Sequence, residues 1–142
     1  MSRESDRLQV ALAAEHAAIY AYGVIGSHLA GDELGLARAG ERAHRDLRDT
    51  VADLVSSAGA TPTAAAAAYR LPKPVTDRAG ALALVVEIET RVAAVWRSTL
   101  GAVPEANRAI ALEALVDAAV RAAEWREAAS PNATPTIPWP GR

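Results

Sequence analysis

The chain has 142 residues, a length that suits one domain with its own buried core. Its formal net charge is -2, and the arginines of residues 38–48 are interleaved with acids, so no single-sign stripe indicates a nucleic-acid partner. Cysteine is absent, which excludes disulfides, thiolate metal sites and Cys nucleophiles. Alanine accounts for 35 residues and Phe for none, which favours closely packed helices.

The first residues, MSRESDRLQV, lack the apolar segment of a signal peptide. No run of about 18 uncharged apolar residues follows elsewhere, as a membrane-spanning helix would require. We therefore expect a cytoplasmic protein with no membrane partner.

Apolar residues recur with a period near 3.6 in four segments, which predicts an all-α protein. The predicted helices cover about 5–29, 33–58, 76–100 and 104–128, with Thr76 as the cap of the third. A Pro-containing stretch separates the second helix from the third, whereas the other connections are short. This spacing predicts a single domain over 1–142, folded as an up-down-down-up four-helix bundle with one long crossover between helices 2 and 3. The tail 130–142 contains four prolines and is expected to be extended or irregular.

The outward and inward faces of the helices are predicted from the same period. We expect the larger aliphatic side chains of the fourth helix to face inward with three alanines: Ala109, Leu112, Val116, Ala119, Val120 and Ala123. Val24 and Ile25 are expected to face outward and to leave an apolar surface for a partner, so a homodimer is the preferred oligomer. Trp96 is interpreted as a core residue, and Trp125 and Trp139 as anchors for the tail or a partner subunit.

Three predicted helices place a carboxylate on the inward face. Glu15 lies between Leu12 and Ile19 on the apolar stripe, and Glu89 follows Val85 by one turn. Glu41 and His44 are three residues apart, which places both on one side of the second helix. A buried carboxylate is costly unless it is paired or bound to a cation, and Glu-x-x-His is the ligand spacing of four-helix di-iron and di-manganese proteins.

The chain resembles the ferritin-like superfamily and, over nearly its full length, a bacterial ferritin-like domain family with no assigned function. The segments that carry the resemblance are AEHAAIYAYG in the first helix, His44 in the second, YRLPKPV in the crossover, EIE in the third, RAAEWR in the fourth and the terminal PWPG. The resemblance implies a bundle with one crossover, and it implies no activity. Metal-dependent members of the superfamily use one Glu from each of two helices and Glu-x-x-His from each of the other two.

Only three of those four contributions are present, because the three histidines all precede the crossover. Two interpretations stay open. In one, Glu15, Glu41, His44 and Glu89 bind iron or manganese in a partial, redox-active site completed by Glu113 or Asp117. In the other, which is preferred, the site has no cofactor and its carboxylates belong to a polar core network, and the protein has a non-catalytic role in binding or assembly. The predicted members of that network are Tyr22, Arg48, Asp117 and Arg121.

A small-molecule binding site around Glu15 and Glu89 is a third alternative. The sequence leaves open whether the protein is an enzyme.

Overall fold

A computed structural model describes residues 2–131, and within that range the chain forms four α-helices and no strand. The helices are α1 (Arg3–Gly26), α2 (Gly31–Ser57), α3 (Arg78–Leu100) and α4 (Glu105–Ala129). α1 packs against both α2 and α3, and α4 packs mainly against α3, whereas α2 and α4 hardly touch. The predicted all-α helical bundle is therefore confirmed. The predicted tail lies almost entirely outside the described residues, and Trp139 lies there as well.

Local hydrogen bonds define the two ends of the long connection between α2 and α3. Gly59, with φ of 87°, ends α2 as the sequence predicts, and Ala60 N–H donates to the carbonyl of Val55 at 3.1 Å. Asp77 caps the start of α3 by accepting a backbone N–H three residues further on at 2.8 Å. The prediction of Thr76 as this cap was wrong, because the neighbouring carboxylate takes the capping position.

The connection between these two helices lies along α1. The side chain of Gln9 donates to the carbonyl of Thr61 at 2.6 Å, and His16 Nε2 lies 2.9 Å from the carbonyl of Thr63. Further on, the ring of Tyr69 packs against that of Tyr20, with centroids 5.7 Å apart. The connection therefore covers one side of α1 from its first turns to beyond its middle.

α1 is buried over a wide arc, because it has a neighbouring helix on each of two sides. Ile25 is fully buried, so the prediction that it faces outward was wrong. Among the described helices, α1 is also the one with the length and apolar composition to cross a membrane, a property that core helices of soluble proteins share. The buried residues of α1 include Glu15, which packs inside the bundle.

α4 buries mainly alanine side chains, whereas three of its larger aliphatic side chains face outward. The residues buried against the bundle are Ala111, Ala114, Ala118, Ala122 and Trp125. Leu112, Val116 and Val120 are each about half exposed, at 50%, 49% and 50%. The predicted inward face was therefore wrong, because this side of α4 packs against the bundle through small alanine side chains and Trp125, which lets α4 approach α3 closely.

Candidate functional site

Three ionisable side chains meet in the centre of the bundle. Glu15 of α1, His44 of α2 and Glu89 of α3 have no solvent exposure. Each lies about one turn from an apolar residue on the inward side of its own helix, namely Leu12, Leu47 and Val85, and so shares that face. The sequence predicted this convergence, and the structure brings all three together.

His44 bridges the two carboxylates. Its Nδ1 lies 2.6 Å from Glu15 Oε1, and its Nε2 lies 2.9 Å from Glu89 Oε2. A neutral imidazole has only one N–H, so with both glutamates ionised the two contacts are hydrogen bonds only when the ring is a cation. Burial alone lowers the pKa of His44, but the hydrogen bonds and negative charges of the two glutamates outweigh burial and raise this pKa to about 9. His44 is therefore an imidazolium at neutral pH.

Glu89 Oε2 accepts three hydrogen bonds. The donors are the hydroxyl of Tyr22, His44 Nε2 at 2.9 Å and Arg121 Nε at 2.9 Å. Burial raises the pKa of Glu89, but His44, Arg121 and Tyr22 together hold it below its usual range. Its other oxygen, Oε1, is buried and has no hydrogen-bond partner.

Two tryptophans complete the hydrogen bonding around the carboxylates. Trp96 Nε1–H donates to Glu15 Oε2 at 3.0 Å, so both oxygens of that carboxylate are satisfied. Trp125 Nε1–H donates to the hydroxyl of Tyr22 at 3.1 Å, and that hydroxyl donates in turn to Glu89. Burial and the charge of Glu89 raise the pKa of Tyr22 well above its usual value, so the hydroxyl stays protonated. Trp125 is thus a core residue, so it is not free to anchor a partner subunit, and the alternative that it anchors the tail falls on residues outside the described range.

The cluster is electrically balanced. Glu15 and Glu89 contribute two negative charges, and His44 and Arg121 contribute two positive ones. Isolated buried charges cost several kcal/mol each, and this cost is offset only when every charge is paired and hydrogen-bonded. We refer to Glu15, Tyr22, His44, Glu89, Trp96, Arg121 and Trp125 as the central network.

Gly40 makes room for the ring of Tyr22. It lies one turn before His44 on α2, and a Cβ at this position would lie 2.7 Å from Tyr22 Cε1. Gly40 was not predicted as a site residue, although a glycine within a helical pattern is a signal of close packing. The tryptophan N–H donors were not predicted either, because helical periodicity indicates which side chains face inward and not which polar atoms form hydrogen bonds.

Four predicted site residues lie outside the central network. Glu41 is about 60° away from His44 around α2, near the edge of the buried face, and accepts a hydrogen bond from Arg45 at 2.8 Å. Arg48 donates to Asp49 at 2.9 Å on the surface. Glu113 and Asp117 are exposed on α4 and line a groove between α2 and α4.

The arrangement does not fit the predicted metal centre. A histidine ligand must be neutral and direct a lone pair at the ion, but both nitrogens of His44 face carboxylate oxygens. The imidazole also separates Glu15 from Glu89, and Glu41 is turned away from both. Among residues 2–131, no group of three or more His, Asp or Glu side chains is placed to hold a metal ion.

Comparison with known proteins identifies the family. Residues 7–142 match the model of a family described as Domain of unknown function (DUF4439). The chain belongs to the DUF4439 family. The DUF4439 fold is similar to a crystal structure described as a conserved hypothetical protein, rv2844, from Mycobacterium tuberculosis, with a TM-score of 0.86. The two chains are 35% identical, over 89% of this chain and 96% of the other. No curated protein is significantly similar to the chain.

Proposed function

We propose that this DUF4439 protein is a ferritin-like bundle in which a buried ion-pair network occupies the place of a metal centre, and that it acts through binding or assembly. The observation that carries the proposal is the bridging His44, whose two nitrogens contact Glu15 and Glu89 at 2.6 and 2.9 Å. A cation is thus already present between the carboxylates, supplied by the protein itself. This cation removes the electrostatic demand for a metal ion there.

Contacts between helix ends support the ferritin-like arrangement. Arg78, at the start of α3, makes two hydrogen bonds to Glu33, at the start of α2, of 2.7 and 2.6 Å. At the opposite end, Asn107 of α4 contacts Glu4 of α1 at 3.3 Å. If α2 and α3 start at the same end of the bundle, their connection has to run along its whole length. This is the single crossover of ferritin-like folds.

The metal content of untagged protein, measured by mass spectrometry after incubation with Fe(II), Mn(II) or Zn(II), tests the network proposal. We expect no stoichiometric metal in the native protein or in Glu41→Gln, a control outside the central network. Near-stoichiometric metal that is lost in Glu89→Gln and retained in Glu41→Gln would contradict the proposal.

One observation favours metal binding as a second candidate function. Glu89 Oε1 is buried and has no partner, so one ligand atom is available in the core. An ion could use it only after His44 loses a proton, and metal uptake should then increase steeply as the pH approaches the His44 pKa of about 9. Repeating the metal measurement at several pH values from 7 to 9.5 distinguishes a structural network from a metal site. A structural network binds no metal at any of these pH values.

The exposed stripe of α4 supports self-assembly as a homodimer. Leu112, Val116 and Val120 follow one another at intervals of four residues on a single face. Glu113 lies on one side of this stripe and Arg108 on the other. Two parallel copies of α4 would bury the stripes together and bring these opposite charges into proximity across a two-fold axis.

Light scattering coupled to size-exclusion chromatography tests the dimer. We expect a dimer for the native protein and a monomer for Val116→Asp. Val10→Asp is the matched control, because Val10 on α1 is equally exposed, at 49%, and lies outside the stripe. A native monomer at concentrations of about 100 μM, or equal effects of the two substitutions, would contradict assembly through α4.

A further inference from the structure

A second site lies outside the central network. A cavity of about 170 Å³ lies between α1 and α3, beneath residues 69–72 of the connection, and is partly open to solvent. Its α1 wall is formed by Ala14, Ala17 and Ala18, whose methyl groups leave the volume unfilled. The α3 wall is formed by aliphatic side chains that include Ile88 and Val92, so the interior is largely apolar.

The roof of the cavity is held in place by local contacts. The Tyr69 hydroxyl accepts the backbone N–H of Ala66 at 2.8 Å, and the Tyr69 ring packs against Tyr20. Leu71 packs against the hydrophobic core next to it. The roof therefore has a defined position and keeps the space beneath it open.

Positive charge is concentrated at the rim. Arg70 and Arg91 both line the cavity, and Lys73, the one lysine of the sequence, lies beside them. Glu87 is the acid paired with this group, at 2.9 Å from Arg91 and 3.9 Å from Lys73. Arg70 has no ion-pair or hydrogen-bond partner among residues 2–131. The cavity therefore combines an apolar interior with a net positive rim, because three basic side chains lie there with one acidic side chain.

We infer that this cavity binds a small organic anion, namely a carboxylate with an apolar body, whose head group pairs with Arg70. The volume limits the apolar part, because a cavity of about 150 Å³ accommodates one benzene molecule. A monocyclic or short aliphatic carboxylate therefore fits, and a long-chain lipid does not. Guanidinium recognises carboxylate through two parallel N–H bonds, which fixes the orientation of the head group.

This site is independent of the central network. Its lining residues include neither glutamate of the network, so it also differs from the small-molecule site that the sequence predicted around Glu15 and Glu89. Binding here requires no metal and no change in the charge of His44. The ligand assay can therefore succeed or fail separately from the metal measurement.

Titration of isotope-labelled full-length protein with benzoate, followed by two-dimensional amide NMR, tests the inference. We expect saturable shifts confined to the cavity walls and the roof, with benzyl alcohol binding about tenfold more weakly because it lacks the charge. Equal binding of the acid and the alcohol, or shifts scattered over the surface, would overturn the inference.

Three variants and a control assign the binding to the cavity. Ala17→Leu should fill the space and abolish benzoate binding, and Ala14→Leu provides a second filled cavity if the first variant fails to fold. Arg70→Gln should weaken benzoate about tenfold and leave benzyl alcohol unchanged, whereas Arg97→Gln, an exposed arginine elsewhere on α3, should change neither. Unchanged benzoate binding in a folded, filled variant would show that the anion binds elsewhere.

Discussion

Apolar side chains are usually buried and charged ones exposed, but the centre of the bundle and the outer face of α4 show the opposite. In the centre, Glu15, His44 and Glu89 are fully buried, although each is ionised or ionisable. On α4, Leu112 and Val116 are about half exposed, although both are strongly apolar.

The difference shows that burial in this fold depends on partners and on space more than on hydrophobicity. Each charge in the centre has an opposite charge or a hydrogen-bond donor within 3.0 Å, so its desolvation is compensated. The inner face of α4 is filled by alanines and Trp125, and Leu112 and Val116 lie on its outer face.

The largest effect is expected from leaving a buried charge unpaired. Glu89→Ala removes the acceptor of three donors and leaves His44 and Arg121 without their shared carboxylate. We expect the free energy of unfolding to fall by about 3–5 kcal/mol, measured by urea denaturation. Glu87→Ala, on the same helix but in a partly exposed pair with Arg91, should cost less than about 1 kcal/mol. Similar losses in the two variants would contradict a structural role for the central network.

Because His44 is paired as a cation, the free energy of unfolding should fall as the pH rises into the alkaline range. Its folded-state pKa of about 9 lies above the unfolded value of 6.5, so the stabilisation is complete below pH 6.5 and is lost as the pH rises through 9. Between these values the free energy of unfolding should fall by up to about 1.4 kcal/mol per pH unit. Urea denaturation at several pH values measures this slope, and NMR of the imidazole should show His44 still protonated at pH 8.

The opposite slope would mean that His44 is buried in its neutral form. His44→Gln serves as the control for the other titrating groups, because it removes only the slope that belongs to His44. Tyr22 and Arg121, which contact Glu89 as well, keep their protons over this range, since burial raises the pKa of Tyr22 and arginine stays charged.

A smaller loss is expected where packing alone is changed. Gly40→Ala places a methyl group 2.7 Å from the Tyr22 ring, which has to move away from Glu89. We expect a loss of about 1–3 kcal/mol in thermal or urea denaturation. Gly35→Ala is a matched control in the same helix, because its Cβ would meet nothing within 4 Å, and this variant should gain about 0.5–1 kcal/mol from helix propensity. If both substitutions were stabilising, Tyr22 would not be confined by α2.

The helices and the centre of the site follow from periodicity, but the finer arrangement does not. The spacing of Leu12, Glu15 and Ile19 was sufficient to place Glu15 inside, because the buried arc of α1 is wide. Glu41 and His44 were equally plausible from spacing, and a difference of about 60° around α2 placed one in the core and the other at its edge. Such a difference depends on the rotation of each helix relative to its neighbours. The periodicity of one helix carries no information about that rotation.

The inward face of α4 was predicted wrongly for the same reason, because the helical period does not show how α4 is rotated against α3. Two substitutions on opposite faces of α4 test which face is buried. Ala118→Leu adds volume to a fully buried position against the bundle and should cost about 1–3 kcal/mol. Val116→Ala removes volume from the exposed stripe and should change the stability of dilute protein by less than about 0.5 kcal/mol. It should nevertheless weaken the concentration dependence of the melting temperature that a dimer produces, since self-association stabilises the folded chain by mass action. A large loss for Val116→Ala in dilute protein, with Ala118→Leu tolerated, would mean that the larger aliphatic side chains of α4 face the core after all.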